Sequence, residues 1–180
     1  MNHFSRIKPL FVFLSLFMMS SNIKAQVLSD EERKLYQLIM DYRKEKGLSV
    51  IDISKSLTKV AQTHVRDLGE NKPDVGRCNT HSWSSNGTWS SCCYTPDHAQ
   101  ASCMWSKPAE LTTYKGNGYE IAMKTSGTAT AESALMGWKL SPGHNAVIIN
   151  QGMWSQKWNA IGIGIYKGYA VAWFGRESEF

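Results

Sequence analysis

Between Ala160 and Tyr166 the chain reads AIGIGIY, with isoleucine and glycine at alternate positions. Successive side chains of an extended strand point to opposite faces, so Ile161, Ile163 and Ile165 share one face while Gly162 and Gly164 leave the other flat. A Lys167-Gly168 turn follows, and Tyr169 to Phe174 resumes an extended apolar run. Together these segments predict a β-hairpin. A face bare of side chains admits a helix backbone at close range. The expectation is an α+β protein with helices against a small antiparallel sheet, and not a parallel α/β fold.

Helices of the required kind are legible elsewhere. In SDEERKLYQLIMDYRKEKG, Ser29 and Glu32 form a capping box and acids fill the first turn. Leu35, Leu38, Ile39 and Tyr42 recur at helical spacing before Gly47 stops the run. SKSLTKVAQTHVRDLG predicts a second amphipathic helix capped by Ser54, with Leu57, Val60, Ala61, His64, Val65 and Leu68 on one stripe. His64 thus faces the core, where a histidine on an apolar stripe reads first as a satisfied core residue and only second as a ligand. TATAESALMGWKL predicts a third helix, ended by Ser141-Pro142-Gly143 immediately before His144.

The first 25 residues read as a secretory signal peptide: Arg6 and Lys8 precede an apolar run from Leu10 to Met19, and small and polar residues follow as far as Ala25-Gln26. The alternative is an uncleaved N-terminal anchor. Removing residues 1–25 takes three basic residues and no acid, and lowers the formal charge from +5 to +2 because 17 basic residues then face 15 acidic ones. So small a charge argues against a nucleic-acid partner. No later segment is apolar enough to span a membrane, and residues 26–180 suit a single domain outside the cell, or in a periplasm.

Cys78, Cys92, Cys93 and Cys103 all fall within an irregular stretch, residues 76–118, which is rich in Gly, Ser, Asn and Pro and carries Trp83, Trp89 and Trp105. Cysteines so clustered in an exported chain read as disulfides rather than as a metal site, since paired CxxC spacing is absent. A bond between neighbours Cys92 and Cys93 would be strained. Each is expected to pair outward, one with Cys78 and the other with Cys103, and each bridge would contribute about 2 to 3 kcal/mol. The Asn86-Gly-Thr sequon is a glycosylation acceptor only in a chain secreted by a eukaryote, and the Asp97-His98 pair reads as a solvated loop pair.

Taken in order, AQTH, CNTHSW, GYEIAM, WKLSPGHNAVIIN, AIGIGI and AVAWFG resemble the CAP superfamily, which comprises cysteine-rich secretory proteins, antigen 5, plant pathogenesis-related proteins of the first class and bacterial secreted relatives. The resemblance spans about residues 30–176. It implies a three-layer α/β/α sandwich with a small central antiparallel sheet and an open cavity. Its polar residues would be His81, Glu120 and His144. Ser141 stands where many eukaryotic members carry a second glutamate, Tyr119 and Ile121 flank Glu120 in place of small and polar neighbours, and Asn145 follows His144 where bacterial relatives often have arginine. The Cys-Trp insertion between His81 and Glu120 departs from the minimal family pattern and is expected to roof the cavity, with Trp83, Trp105, Tyr119 and Trp138 as candidate walls.

Two imidazoles and a carboxylate with an open fourth position are what a hydrolytic zinc site requires, so His81, Glu120 and His144 form one candidate metal set. The other reading is a hydrogen-bonded trio that orders the cavity and requires no cofactor. Ser141 with His144 lacks a GxSxG elbow and an evident oxyanion site, which leaves metal-free acyl chemistry without support. The sequence therefore points first to a cleft that binds an extracellular lipid or protein. A zinc-dependent hydrolase acting on peptides or esters is the alternative.

Overall fold

The computed structural model describes Met1 and residues 27–179; the predicted signal peptide, apart from Met1, lies outside the described residues. Helix α1 spans Asp30–Glu45 and α2 spans Lys55–Asn71. The Ser29/Glu32 capping box forms in both directions, and Ser54 accepts from the Leu57 backbone N–H as expected. The hairpin is β2, Ala160–Tyr166, with β3, Tyr169–Gly175. A third strand, β1, Gly118–Lys124, pairs antiparallel with β3, so the sheet order is β1-β3-β2.

Strand β3 is central, and its alternate residues serve two cores. Ala170, Ala172 and Phe174 join Ile161 and Ile163 of β2 against Leu35 and Ile39 of α1. Val171 and Trp173 face the opposite way, with Leu57, Ala61 and Val65 of α2. Two helical layers enclosing a three-stranded antiparallel sheet are the expected α+β sandwich. The flat face has the expected use too: a Cβ on Gly162 would overlap the Leu57 carbonyl, and one on Gly164 would overlap that of Ala61, so both glycines are required for α2 to lie on β2.

Two regions differ from the sequence reading. The stretch 76–118 is not irregular throughout, because Ala101–Leu111 forms α3. Its periodicity is masked by Pro108 and by the lack of a side-chain N-cap, and tertiary contacts hold it: Met104, Lys107 and Pro108 are buried. Lys107 Nζ donates to the Ser90 carbonyl and to Glu110, and it lies over the Trp83 ring. The disulfides are Cys78–Cys93 and Cys92–Cys103, which resolves the outward pairing left open above.

The second difference concerns Ser141-Pro142-Gly143. α4, Ala131–Leu140, does end there, but Ser141 is at once its C-cap and the N-cap of a further short helix, α5, Pro142–Ile148. Proline at the first helical position has no N–H to lose, so the same three residues that stop one helix start the next. Arg43 ties the far end of α5 to α1, donating to the Ile148 carbonyl at 2.6 Å, to Asn150 Oδ1 at 2.7 Å and twice to the Ser49 carbonyl. Burial pushes its guanidinium down to about 10. Tyr42 adds a hydrogen bond to Asn145 at 2.9 Å.

Candidate functional site

Glu120 occupies the α2 face of edge strand β1, opposite Trp173 in register. Its carboxylate is fully buried and lies between two imidazoles, with His64 Nδ1 2.5 Å from Oε1 and His81 Nδ1 2.7 Å from Oε2. His64 comes from the middle of α2, wholly buried, and its ring stacks on Trp83 with centroids 4.1 Å apart. Its Nε2 is 2.9 Å from the Ser82 carbonyl, an oxygen that only accepts, so this nitrogen bears hydrogen and the contact with Glu120 holds a further shared proton. Burial is the largest single influence on Glu120 and opposes its ionisation, but the charges and hydrogen bonds of His64 and His81 outweigh it and hold the carboxyl below the ordinary glutamate value.

His144 lies in the first turn of α5. Burial, aided by the proximity of His81, pushes its imidazole below the ordinary histidine value, against a smaller upward pull from Glu120. His81, Glu120 and His144 line a single cavity of about 480 Å³, with Ser141 at the α4–α5 junction. The insertion supplies another part of the wall through Tyr94, His98, Met104 and Trp105. A 3₁₀ turn, Gly152–Trp154, supplies Met153 and Trp154. Tyr119 anchors the aromatic side, its ring centroid 5.4 Å from those of Trp154 and Trp158 and 6.4 Å from that of Trp105.

The expected wall residues divide. Trp105 and Tyr119 line the cavity, whereas Trp83 and Trp138 do not. Trp83 is 2 % exposed and stacked behind His64, and Trp138 is 1 % exposed in the α1/α4 core. Both are positioned by helix and sheet packing that forms away from the cavity. Sequence reasoning left out Met104, Met153, Trp154, Tyr94 and His98. His98 and Asp97 do not act as a pair: His98 Nδ1 meets the Tyr94 hydroxyl at 2.9 Å, and Asp97 accepts from Thr95. His64 had one visible signal, an ionisable ring on an apolar stripe, but its partner Glu120 is 56 positions away.

The donor set does not fit the hydrolytic zinc site for which His81, Glu120 and His144 were one candidate set. Among the described residues no group of three or more His, Cys, Asp or Glu side chains is arranged to hold a metal ion. Both oxygens of Glu120 face imidazole Nδ1 atoms, which leaves His81 and His144, one short of the three protein ligands that a hydrolytic zinc site takes. Glu120 is thus a bridge between two histidines, with His144 lining the same cavity.

Comparison with known proteins agrees with this architecture. Solved structures similar in fold include an extracellular protein containing an SCP domain from Bacillus anthracis, with a TM-score of 0.55, 17% identity, and coverage of 82% of this chain and 40% of that one. An outer surface protein from Borrelia burgdorferi has a TM-score of 0.55 and 22% identity, covering 84% of this chain and 97% of that one. A cysteine-rich secretory protein from Staphylococcus aureus has a TM-score of 0.51 and 16% identity, covering 82% and 39%. The chain therefore spans about two fifths of the Bacillus and Staphylococcus proteins and nearly the whole of the Borrelia one. No curated protein sequence matches it. Residues 36–173 match the profile described as the cysteine-rich secretory protein family, or CAP. With that match covering most of its length, the chain belongs to the CAP family.

Proposed function

We propose that this CAP domain is an extracellular binding module that takes a largely apolar ligand, a lipid in preference to a protein surface, into the cavity beside β1. The observation that carries the reading is the composition of the wall: Met104, Trp105, Tyr119, Val147, Met153 and Trp154 surround a polar end formed by His81, Glu120 and His144. A concave, mainly apolar cavity with a few convergent polar groups is the usual form of a small-molecule site. At about 480 Å³ it lies within the usual range for such sites, whereas protein partners commonly take broad, shallow surfaces. Export is supported by the two disulfides and by the family; among the described residues no helix is long and apolar enough to cross a membrane. The zinc-dependent hydrolase is less favoured because the donor set is one short.

The reading is tested by delipidating the purified chain and offering fatty acids, sterols and monoacylglycerols, with native mass spectrometry and tryptophan fluorescence as readouts. One-to-one uptake is expected, accompanied by a change in emission from Trp105 and Trp154. Trp105 is 40 % exposed, so Trp105→Ala should fold normally and bind about tenfold more weakly. Absence of uptake for every apolar probe would sink the reading.

A further inference from the structure

The cavity also carries information about the polar end of its ligand, an inference that rests on the binding reading above. Of the fifteen residues that line it, Glu120 is the sole Asp, Glu, Lys or Arg. Its carboxylate is already engaged on both oxygens, by His64 and by His81. Arg176 is close to the aromatic side, but its guanidinium stands over the ring faces of Tyr119 and Trp158 and is not part of the lining. While the lining histidines His81, His98 and His144 are neutral, a charged head group entering this space would shed its hydration and find no free counter-ion. A hydroxyl entering the same space needs only hydrogen-bond partners.

Such a partner is defined by tautomer. In the neutral form of His81, Nδ1 faces a carboxylate oxygen, which accepts, so the ring hydrogen is on Nδ1 and the acceptor lone pair is on Nε2. Nε2 is therefore the polar atom that His81 has left to offer a ligand. Its orientation is fixed at some distance by His64, which holds the other oxygen of the same carboxylate and is itself held by the Ser82 carbonyl. A ring anchored in this way loses little freedom on accepting a hydrogen bond, and preorganisation of that kind favours a specific donor.

We propose that the cavity selects an uncharged, hydroxyl-bearing apolar ligand, with the hydroxyl donating to His81 Nε2 and the apolar body packed against Trp105, Tyr119 and Trp154. Fatty alcohols and other neutral lipids with a free hydroxyl belong to this class. Free fatty acids and alkylamines do not.

The test uses four probes with the same alkyl body, namely decanol, decanoate, decylammonium and methyl decyl ether, titrated into the delipidated chain at about pH 8.5, where the acid and the amine are ionised and an ordinary imidazole is neutral. Decanol should bind about tenfold more tightly than either ion, and about tenfold more tightly than the ether, which keeps the oxygen but lacks the donor hydrogen. Because the comparison is made on the unaltered protein, it does not depend on a His81 variant folding. Decanoate or decylammonium binding as tightly as decanol would overturn the selection against charge while leaving the apolar-binding reading intact. Equal affinity for decanol and its ether would overturn the hydroxyl contact with His81. If none of the four bound, the binding reading itself would fail, and this proposal with it.

Discussion

At the scale of single residues, the decisive group is Glu120, a carboxylate taken out of water and made tolerable by two imidazoles. The cost of burying it falls to an acceptable level only while both partners remain, because an unpaired buried charge is strongly destabilising. Glu120→Gln should therefore lower stability by about 3 kcal/mol near neutral pH, read as a fall in the urea midpoint at unchanged slope. The pH dependence has a definite sign. The folded carboxyl titrates below its unfolded value of 4.5, so the unfolded chain binds the proton first. The stabilisation is complete above 4.5 and is lost as pH falls through the lower folded value, so the gap between wild type and variant should narrow in acid. A gap of constant size from neutral pH down to about 3 would mean that the carboxylate is not held by its histidines. Glu120 and His81 were legible through flanking motifs, whereas His64 could be placed on a buried face but not given a partner, because hydrogen bonds between distant segments leave no trace in local periodicity.

Among the elements, the insertion determines the shape of the cavity. α3 lacks an N-cap side-chain bond and contains Pro108, so little of its stability is intrinsic. It is held by the Cys92–Cys103 bridge and by Met104, Lys107 and Pro108, while Cys78–Cys93 fixes the base of the loop that bears His81, with Tyr94 next to Cys93. Reductant should release these elements first. Amide exchange across residues 92–111 should accelerate while α1, α2 and the hairpin stay protected, and ligand uptake should be lost with the far-UV signal largely retained. If exchange quickened equally in α2 and β3, the insertion would be integral to the core rather than stapled onto it. α5 shows the opposite limit, an element whose start is set by local chemistry at Ser141-Pro142 but whose seat depends on Arg43, about a hundred residues earlier in the chain.

For the molecule as a whole, the sheet separates two cores and the cavity opens beside its β1 edge, where the α4–α5 junction, the insertion and the 3₁₀ turn converge. With both oxygens of Glu120 directed at imidazoles, the tag-free chain should not retain stoichiometric zinc through desalting. Retention of one equivalent, abolished in His81→Ala/His144→Ala, would show that the side chains rearrange around a metal. The sequence alone determined the elements whose signals are short-range: the capped helices α1 and α2, the glycine-flattened hairpin and hence helices against an antiparallel sheet, and the clustering of cysteines in one insertion. Periodicity, capping and turn chemistry act over a few residues and can be read directly. Only the tertiary structure decided which cysteines pair, that α3 is a helix, that Trp83 and Trp138 belong to the cores, and that Glu120 bridges two histidines. Each of those depends on contacts between segments tens of residues apart, where packing and burial choose among partners that local sequence leaves equivalent.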